Sequence, residues 1–148
     1  MAAEGQKGDL LRLVMTSPVT TMDAKGTLGD AARSMVKNDI GSVIVVEGKK
    51  LVGIITERDI TKQVITGESI LKKAVKSVMT APLVTATPDT PIQEAFELML
   101  KKKIRRLPII DNNNLIGMVT EKDLMRWVLK VSYEPNIPQH IKMILEAR

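Results

Sequence analysis

Apolar residues fall at helical spacing in two long stretches of the chain. Leu28, Ala31, Ala32, Met35 and Val36 stand at i, i+3, i+4, i+7 and i+8 behind Thr27, which predicts an amphipathic helix. Ile92, Ala95, Phe96, Met99 and Leu100 repeat the stripe. Thr90-Pro91-Ile92-Gln93 ahead of it reads as a capping box with proline at the first helical position. Each stripe leads into two short apolar runs split by a polar turn. Ser42 to Val46 and Leu51 to Ile55 flank Glu47-Gly48-Lys49-Lys50, and Leu107 to Ile110 and Leu115 to Val119 flank Asp111-Asn112-Asn113-Asn114. These are read as hairpins. A helical pattern follows each hairpin, from Thr56 to near Gly67 and from Thr120 to about Lys130.

The remaining segments are shorter. Met1 to Gly8 is polar and reads as a weakly ordered lead-in. Asp9 is placed to cap a short turn carrying Leu10, Leu11, Leu13 and Val14, and Pro18 breaks it before a β-branched run. Glu68 to Lys76 reads as a short helix between the halves. Beyond Lys130, Pro135 and Pro138 bracket a linker, and Ile137, Ile141, Ile144 and Leu145 make one face of a terminal helix. The organisation expected is therefore a lead-in at 1–9, a first repeat at 10–66, a second repeat with its connecting helix at 67–130, and a linker with an amphipathic helix at 131–148.

The halves are copies. Subtracting 64 overlays the second on the first without a gap, from Val78 on Val14 to Leu124 on Ile60. Met79-Thr80-Ala81-Pro82 falls on Met15-Thr16-Ser17-Pro18. Each half reads strand, helix, strand, strand, helix, an α/β (α+β) pattern. One such half is marginal for folding alone, so two copies stacked through their sheets about a pseudo-twofold axis are expected.

Composition narrows the chemistry. The chain has 148 residues, 44% of them hydrophobic, with no cysteine and one histidine, His140. Disulfides, thiolate metal sites and a histidine-based triad are excluded. No apolar stretch approaches a membrane span, and the first residues lack the apolar core of a signal peptide. A soluble, cytoplasmic protein with no membrane association is expected. The net charge is +5, with basic runs Lys72-Lys73-x-x-Lys76 and Lys101-Lys102-Lys103-x-Arg105-Arg106. Phe96, Trp127 and Tyr133 are the only aromatics, too few for a base-stacking surface. A solvated helix face accounts for the basic runs better than nucleic acid does.

The most distinctive phrase is Gly-x-x-Thr-x-x-Asp, present as Gly53 to Asp59 and as Gly117 to Asp123. Each copy joins a strand to a helix, with Thr56 or Thr120 at the N-cap and Asp59 or Asp123 at N3. Two readings stand side by side. The pairs form capping boxes with Asp in place of Glu. Alternatively, the carboxylate accepts the hydroxyls of a ribose, as in dinucleotide folds, while the Thr hydroxyl and the helix N–H groups meet phosphate. Arg58 and Lys122 lie inside the phrase and add charge. These carboxylates sit where the helix dipole favours ionisation, which suits accepting hydrogen bonds and not acid catalysis. No phosphate-loop or dinucleotide glycine fingerprint is present. An enzyme is not expected, and neither is a catalytic cofactor or a metal.

Val-Met-Thr-x-Pro, an amphipathic helix and then Gly-h-h-Thr-x-x-Asp (h apolar), twice at this spacing, resembles a tandem pair of cystathionine-β-synthase (CBS) domains, a Bateman module. The resemblance runs from about Leu10 to Lys130. It implies two β-α-β-β-α repeats packed through their sheets, with two crevices for adenine nucleotides such as AMP, ADP or ATP, AMP being favoured. The family roles fall on Asp59 and Asp123 for ribose, and on Thr56 and Thr120 near ribose and phosphate. Adenine reading falls on the backbone of Thr20, Thr21 and Met22 and of Val84, Thr85 and Ala86. Basic residues opening the middle strand help with phosphate in the family. The second repeat keeps them in Ile104-Arg105-Arg106-Leu107-Pro108, whereas Ile40-Gly41-Ser42-Val43-Ile44 carries no charge.

The resemblance implies a stand-alone regulatory module that signals nucleotide occupancy to an unidentified partner protein. A homodimer is expected through the helices and the Ile137/Ile141/Ile144/Leu145 face. The alternative is a protein-interaction or nucleic-acid-associated module that uses the Lys101 to Arg106 run, its crevices purely structural.

Overall fold

Each half of the chain builds one small sheet with helices, as the apolar periodicity requires. The computed structural model describes residues 8–67, 69–133 and 138–147, without the side chains of His140, Ile141, Ile144 and Leu145. The described residues fall into two compact units. One is continuous, Pro18–Val84; the other joins the chain up to Ser17 with the chain from Thr85 onward.

In the continuous unit, β1 (Thr21–Asp23) runs parallel to β2 (Ser42–Glu47), and β2 runs antiparallel to β3 (Lys50–Thr56). The sheet order is β1-β2-β3. Helix α1 (Leu28–Asn38) connects β1 to β2, and α2 (Glu57–Val64) follows β3. Thr27 and Asp30 form a reciprocal capping box at the start of α1. The Thr27 backbone N–H, then the Arg33 guanidinium, hold the Asp30 carboxyl below its ordinary value. The α1 stripe delivers Leu28, Ala31 and Met35 into one core with Val43, Val45, Ile55 and Val75. Each large side chain fully buried there contributes about 1.5–3 kcal/mol.

The discontinuous unit repeats the plan. Helix α3 (Ile92–Lys102) precedes the antiparallel pair β4 (Arg106–Asp111) and β5 (Asn114–Thr120), followed by α4 (Glu121–Tyr133) and α5 (Gln139–Glu146). Ile92, Ala95 and Met99 are buried at the positions of Leu28, Ala31 and Met35. The counterpart of β1 shrinks to one parallel bridge, Ala86 to Ile109, with Ala86 N–H donating to the Pro108 carbonyl at 3.0 Å. Residues Asp39 and Lys103 both end their helices in the left-handed region, at φ 52° and 54°. The following N–H of Ile40 or Ile104 returns to the carbonyl of Met35 or Met99 at 3.0 Å.

Within each unit the leading segment comes from the other sequence repeat. The segment ahead of the first repeat lies on the sheet of the second: Thr16 pairs with Met118 through hydrogen bonds of 2.9 and 3.0 Å, and Leu11 N–H donates to the Thr90 carbonyl at 2.9 Å. The segment ahead of the second repeat lies on the sheet of the first, where Thr80 pairs with Ile54 at 2.9 and 3.0 Å. The glycine that opens each Gly-x-x-Thr-x-x-Asp phrase makes room for this. A Cβ on Gly53 would stand 2.5 Å from Met79 Sδ, and one on Gly117 would stand 2.8 Å from Met15 Sδ.

Three local expectations give way to these longer-range bonds. Residues 70–77 form two 3-10 turns, Ile70–Lys72 and Val75–Ser77, instead of a helix. The Lys73 carbonyl is taken by Leu28 N–H, and Val75 N–H by the Gly26 carbonyl. Thr90 is not an N-cap: α3 starts after Pro91 without a side-chain cap, and Ile92 N–H donates to the Asp9 carbonyl at 2.9 Å. Nor does the Asp9 carboxylate cap the turn at Leu11–Leu13, because it accepts from Trp127. The face expected on the terminal helix lies outside the described residues.

Candidate functional site

The two strand-to-helix corners have the same hydrogen bonds. At α4, Asp123 Oδ2 accepts from Thr120 N–H and from Thr120 Oγ1, both at 2.8 Å, and Asp123 N–H donates back to Thr120 Oγ1 at 3.3 Å. At α2, the corresponding distances for Thr56 and Asp59 are 2.9, 2.8 and 3.3 Å. The capping reading is therefore correct at both places. It uses only half of each carboxylate. Oδ1 of Asp59 and of Asp123 has no partner among the described residues, so it remains an acceptor for a ligand hydroxyl.

The same bonds engage the threonine hydroxyls. Each Thr hydroxyl donates to the aspartate, Thr56 to Asp59 and Thr120 to Asp123. The helix N-termini are nearly spent as well. Glu57 N–H donates to the Gly41 carbonyl at 3.1 Å and Glu121 N–H to the Arg105 carbonyl at 3.0 Å. With the N-cap and N3 groups also engaged, only the N–H of Arg58 or Lys122 is uncommitted among the described residues.

A cavity of about 880 Å³ opens beside Asp123. Its first wall is the exchanged segment, with Met15, Thr16 and Ser17. Its other wall is α4, with Lys122, Asp123, Arg126, Trp127 and Lys130. The indole Nε1 of Trp127 donates to Asp9 Oδ2 at 2.7 Å across the cavity. Arg126 donates to the Ala147 carbonyl at 2.6 Å, tying α5 to α4. A second cavity of about 720 Å³, on α1 and α2, is lined by Val36, Ile40, Gly41 and Glu57 among others, and by none of the expected ligand residues.

Of the residues singled out in the sequence, Lys122 and Asp123 line the larger cavity. Arg106 opens β4 directly across from Thr120, in the register position that Ser42 holds across from Thr56. The Arg105 guanidinium lies 3.8 Å from Glu121, with both side chains largely exposed, an arrangement worth little in water. Arg58 is exposed at the other corner. Thr20 offers its carbonyl to Ile44 N–H at 3.1 Å, and Thr21 and Met22 lie in β1. Thr85 and Ala86 lead toward β4, while Val84 closes the continuous unit. Ile44 and Pro108 are buried, so they contribute backbone and no lining side chain. Met15 to Ser17, Arg126, Trp127 and Lys130 were not foreseen as lining residues. The one signal for them was the four-residue spacing of Lys122, Arg126 and Lys130.

Among the described residues, no group of three or more His, Cys, Asp or Glu is placed to hold a metal, and no helix is long and apolar enough to cross a membrane. Comparison with known proteins matches residues 8–66 and 75–130 to the model of the CBS domain. The CBS domain-containing protein YhcV of Bacillus subtilis is 37% identical over 110 residues, covering 74% of this chain and 79% of that protein. The mitochondrial CBS domain-containing protein CBSX3 of Arabidopsis thaliana is 38% identical over 109 residues, 70% of this chain and 53% of its own length. The chain thus spans about half of that relative. The crystal structure of the CBS domain pair of protein MJ0100, in complex with 5′-methylthioadenosine and S-adenosyl-L-methionine, superposes with a TM-score of 0.73 at 29% identity, covering 80% of this chain and 98% of the other.

Proposed function

This chain belongs to the CBS-domain family, a fold of non-catalytic regulatory modules, and from that premise we propose that it senses an adenosine ligand and passes its occupancy to a partner. The observation that carries this reading is the divided carboxylate of Asp123. One oxygen holds the start of α4, and the other is left at the edge of the 880 Å³ cavity as an acceptor for ribose hydroxyls. The MJ0100 pair binds two ligands that share an adenosyl group joined to sulfur at its 5′ carbon and differ in what that sulfur carries. The present cavity is bordered by Lys122, Arg126 and Lys130, which favours a phosphate at that carbon over a sulfonium. AMP, ADP and ATP are therefore the ligands proposed. Asp59, with the same divided carboxylate, offers a second ribose acceptor.

The signal would pass through the helices, whose outer faces carry unpaired apolar residues. Val36 on α1 and Leu100 on α3 occupy equivalent positions and are 84% and 77% exposed. Pairing of two copies through such faces gives the homodimer in which a ligand could alter the surface a partner meets.

Calorimetry with AMP, ADP, ATP, NAD and S-adenosylmethionine tests the proposal. Binding of adenine nucleotides that weakens in Asp123→Ala is the expected result. No binding of any of the five, together with salt-sensitive binding to duplex DNA or RNA, would overturn it in favour of a nucleic-acid module.

A further inference from the structure

Three cations on α4 are spaced four residues apart, Lys122, Arg126 and Lys130, and all three line the cavity that Asp123 borders. Four residues are just over one helical turn, so they form one stripe of about 12 Å from first to last. The two carboxylates on this cavity are already engaged, Asp9 by the Trp127 indole and Asp123 through Oδ2 by Thr120. Lys122 and Lys130 have no hydrogen-bond or ion-pair partner among the described residues, and Arg126 has only the neutral carbonyl of Ala147. The start of α4 has one uncommitted N–H, so a chain of phosphates beside it must be neutralised by these side chains. The equivalent positions on α2 read Arg58, Lys62 and Thr66, a stripe that lacks its third charge.

We propose that Lys122, Arg126 and Lys130 form a subsite for an extended phosphate chain, that of an adenosine triphosphate or longer polyphosphate whose ribose is held at Asp123. This rests on the adenosine reading above and adds the residues that select phosphate number. A monophosphate meets the Lys122 end of the stripe. A triphosphate runs on to Arg126 and Lys130, and Arg126 exchanges the Ala147 carbonyl for phosphate oxygens.

The test is calorimetry with adenosine, AMP, ATP and inorganic tripolyphosphate on the full chain and on Arg126→Gln, Lys130→Gln and the double variant. In the wild type, ATP binds about tenfold or more tighter than AMP, as expected for added charge-assisted contacts. The double variant brings ATP down to the level of AMP and weakens ATP more than it weakens AMP or adenosine. Lys130→Gln alone shows part of the loss and leaves the tie between Arg126 and Ala147 intact, so an effect of that tie on folding does not decide the result. Equal affinity for ATP and AMP in the wild type, or an ATP preference that survives the double variant, overturns the subsite while the adenosine reading stands. Binding of tripolyphosphate without adenosine supports the stripe and removes the adenosine reading. Binding of none of the four removes both.

Discussion

Trp127 Nε1 donates to Asp9 Oδ2 at 2.7 Å, and the equivalent positions of the other copy, 64 residues before Trp127 and 64 after Asp9, make the same tie with different chemistry, Lys73 Nζ to Gln63 Oε1, also at 2.7 Å. In both cases the leading segment of one repeat is held by the closing helix of the other. The donor sits on the helix in one copy and on the segment in the other, so the repeats keep the contact and reverse its polarity. Asp9→Ala removes the acceptor and should lower stability by about 1 kcal/mol, below the range of about 1.5–3 kcal/mol for a bond to a charged group because the pair is solvent-accessible. Trp127 is the only tryptophan, so its emission should shift in Asp9→Ala and recover in Asp9→Asn. Unchanged emission in both variants would show that the bond does not persist in solution.

Asp123 has two separable duties. Asp123→Ala should lose the N3 half of the capping box, costing about 0.5–2 kcal/mol, and should also weaken adenosine. Asp123→Asn keeps a side-chain oxygen for the cap, so it should recover most of the stability and still bind adenosine poorly. Urea denaturation and calorimetry on the two variants check this. Full ligand affinity in Asp123→Asn would mean that the carboxylate serves the helix alone.

Arg106 faces Thr120 across the β4–β5 ladder where the first repeat has Ser42 across from Thr56. Cross-strand partners share a sheet face, so at this strand position the second corner carries a guanidinium where the first carries a serine hydroxyl. Arg106→Ala should weaken AMP by about ten- to a hundredfold, the range of one charge-assisted hydrogen bond, and adenosine far less. Equal losses for AMP and adenosine would remove the phosphate role.

Gly53 and Gly117 should differ in tolerance. A Cβ at Gly53 meets Met79 Sδ at 2.5 Å and the Thr80 carbonyl oxygen at 3.0 Å, whereas at Gly117 the three nearest atoms all belong to the Met15 side chain. A methionine can move, but a carbonyl in a backbone bridge moves less readily. Gly53→Ala should cost about 1–3 kcal/mol, and Gly117→Ala less. Thermal or urea denaturation ranks them, and the reverse order would contradict the geometry.

Val36 and Leu100 provide the test of self-association. Light scattering at micromolar concentration should report a dimer mass, and Leu100→Glu should shift it toward monomer by placing a charge in an apolar interface. A monomer mass for the wild type would exclude this assembly.

The corners were legible because they are local. Thr-x-x-Asp needs only three residues of separation to cap a helix, and the apolar stripes at Leu28 and Ile92 need only one helix face. The exchange of leading segments was not legible, since periodicity identifies a strand without saying which sheet edge receives it. Thr90 shows the same failure in miniature. Its spacing satisfied a capping rule, but the N–H of Ile92 found the Asp9 carbonyl, a partner 83 positions earlier. Lys122 and Asp123 were found because they sit inside a repeated phrase. Arg126 and Lys130 were missed because cations four residues apart on a helix also describe a solvated face. Only the cavity wall separates the two meanings.

The segment exchange has a consequence for the order of synthesis. Pro18–Val84 is one continuous stretch, so it can fold as soon as it leaves the ribosome, with its leading-segment partner Thr80 already made. The other unit cannot. Thr16 must wait for Met118, roughly 100 residues later, which is about 5–20 s at a translation rate of about 5–20 residues per second. Throughout that interval Leu11, fully enclosed in the finished molecule, has no sheet to cover it. Leu11 and its neighbours are thus made well before the sheet that buries them, and the nascent chain is exposed to misassociation at this segment throughout that interval.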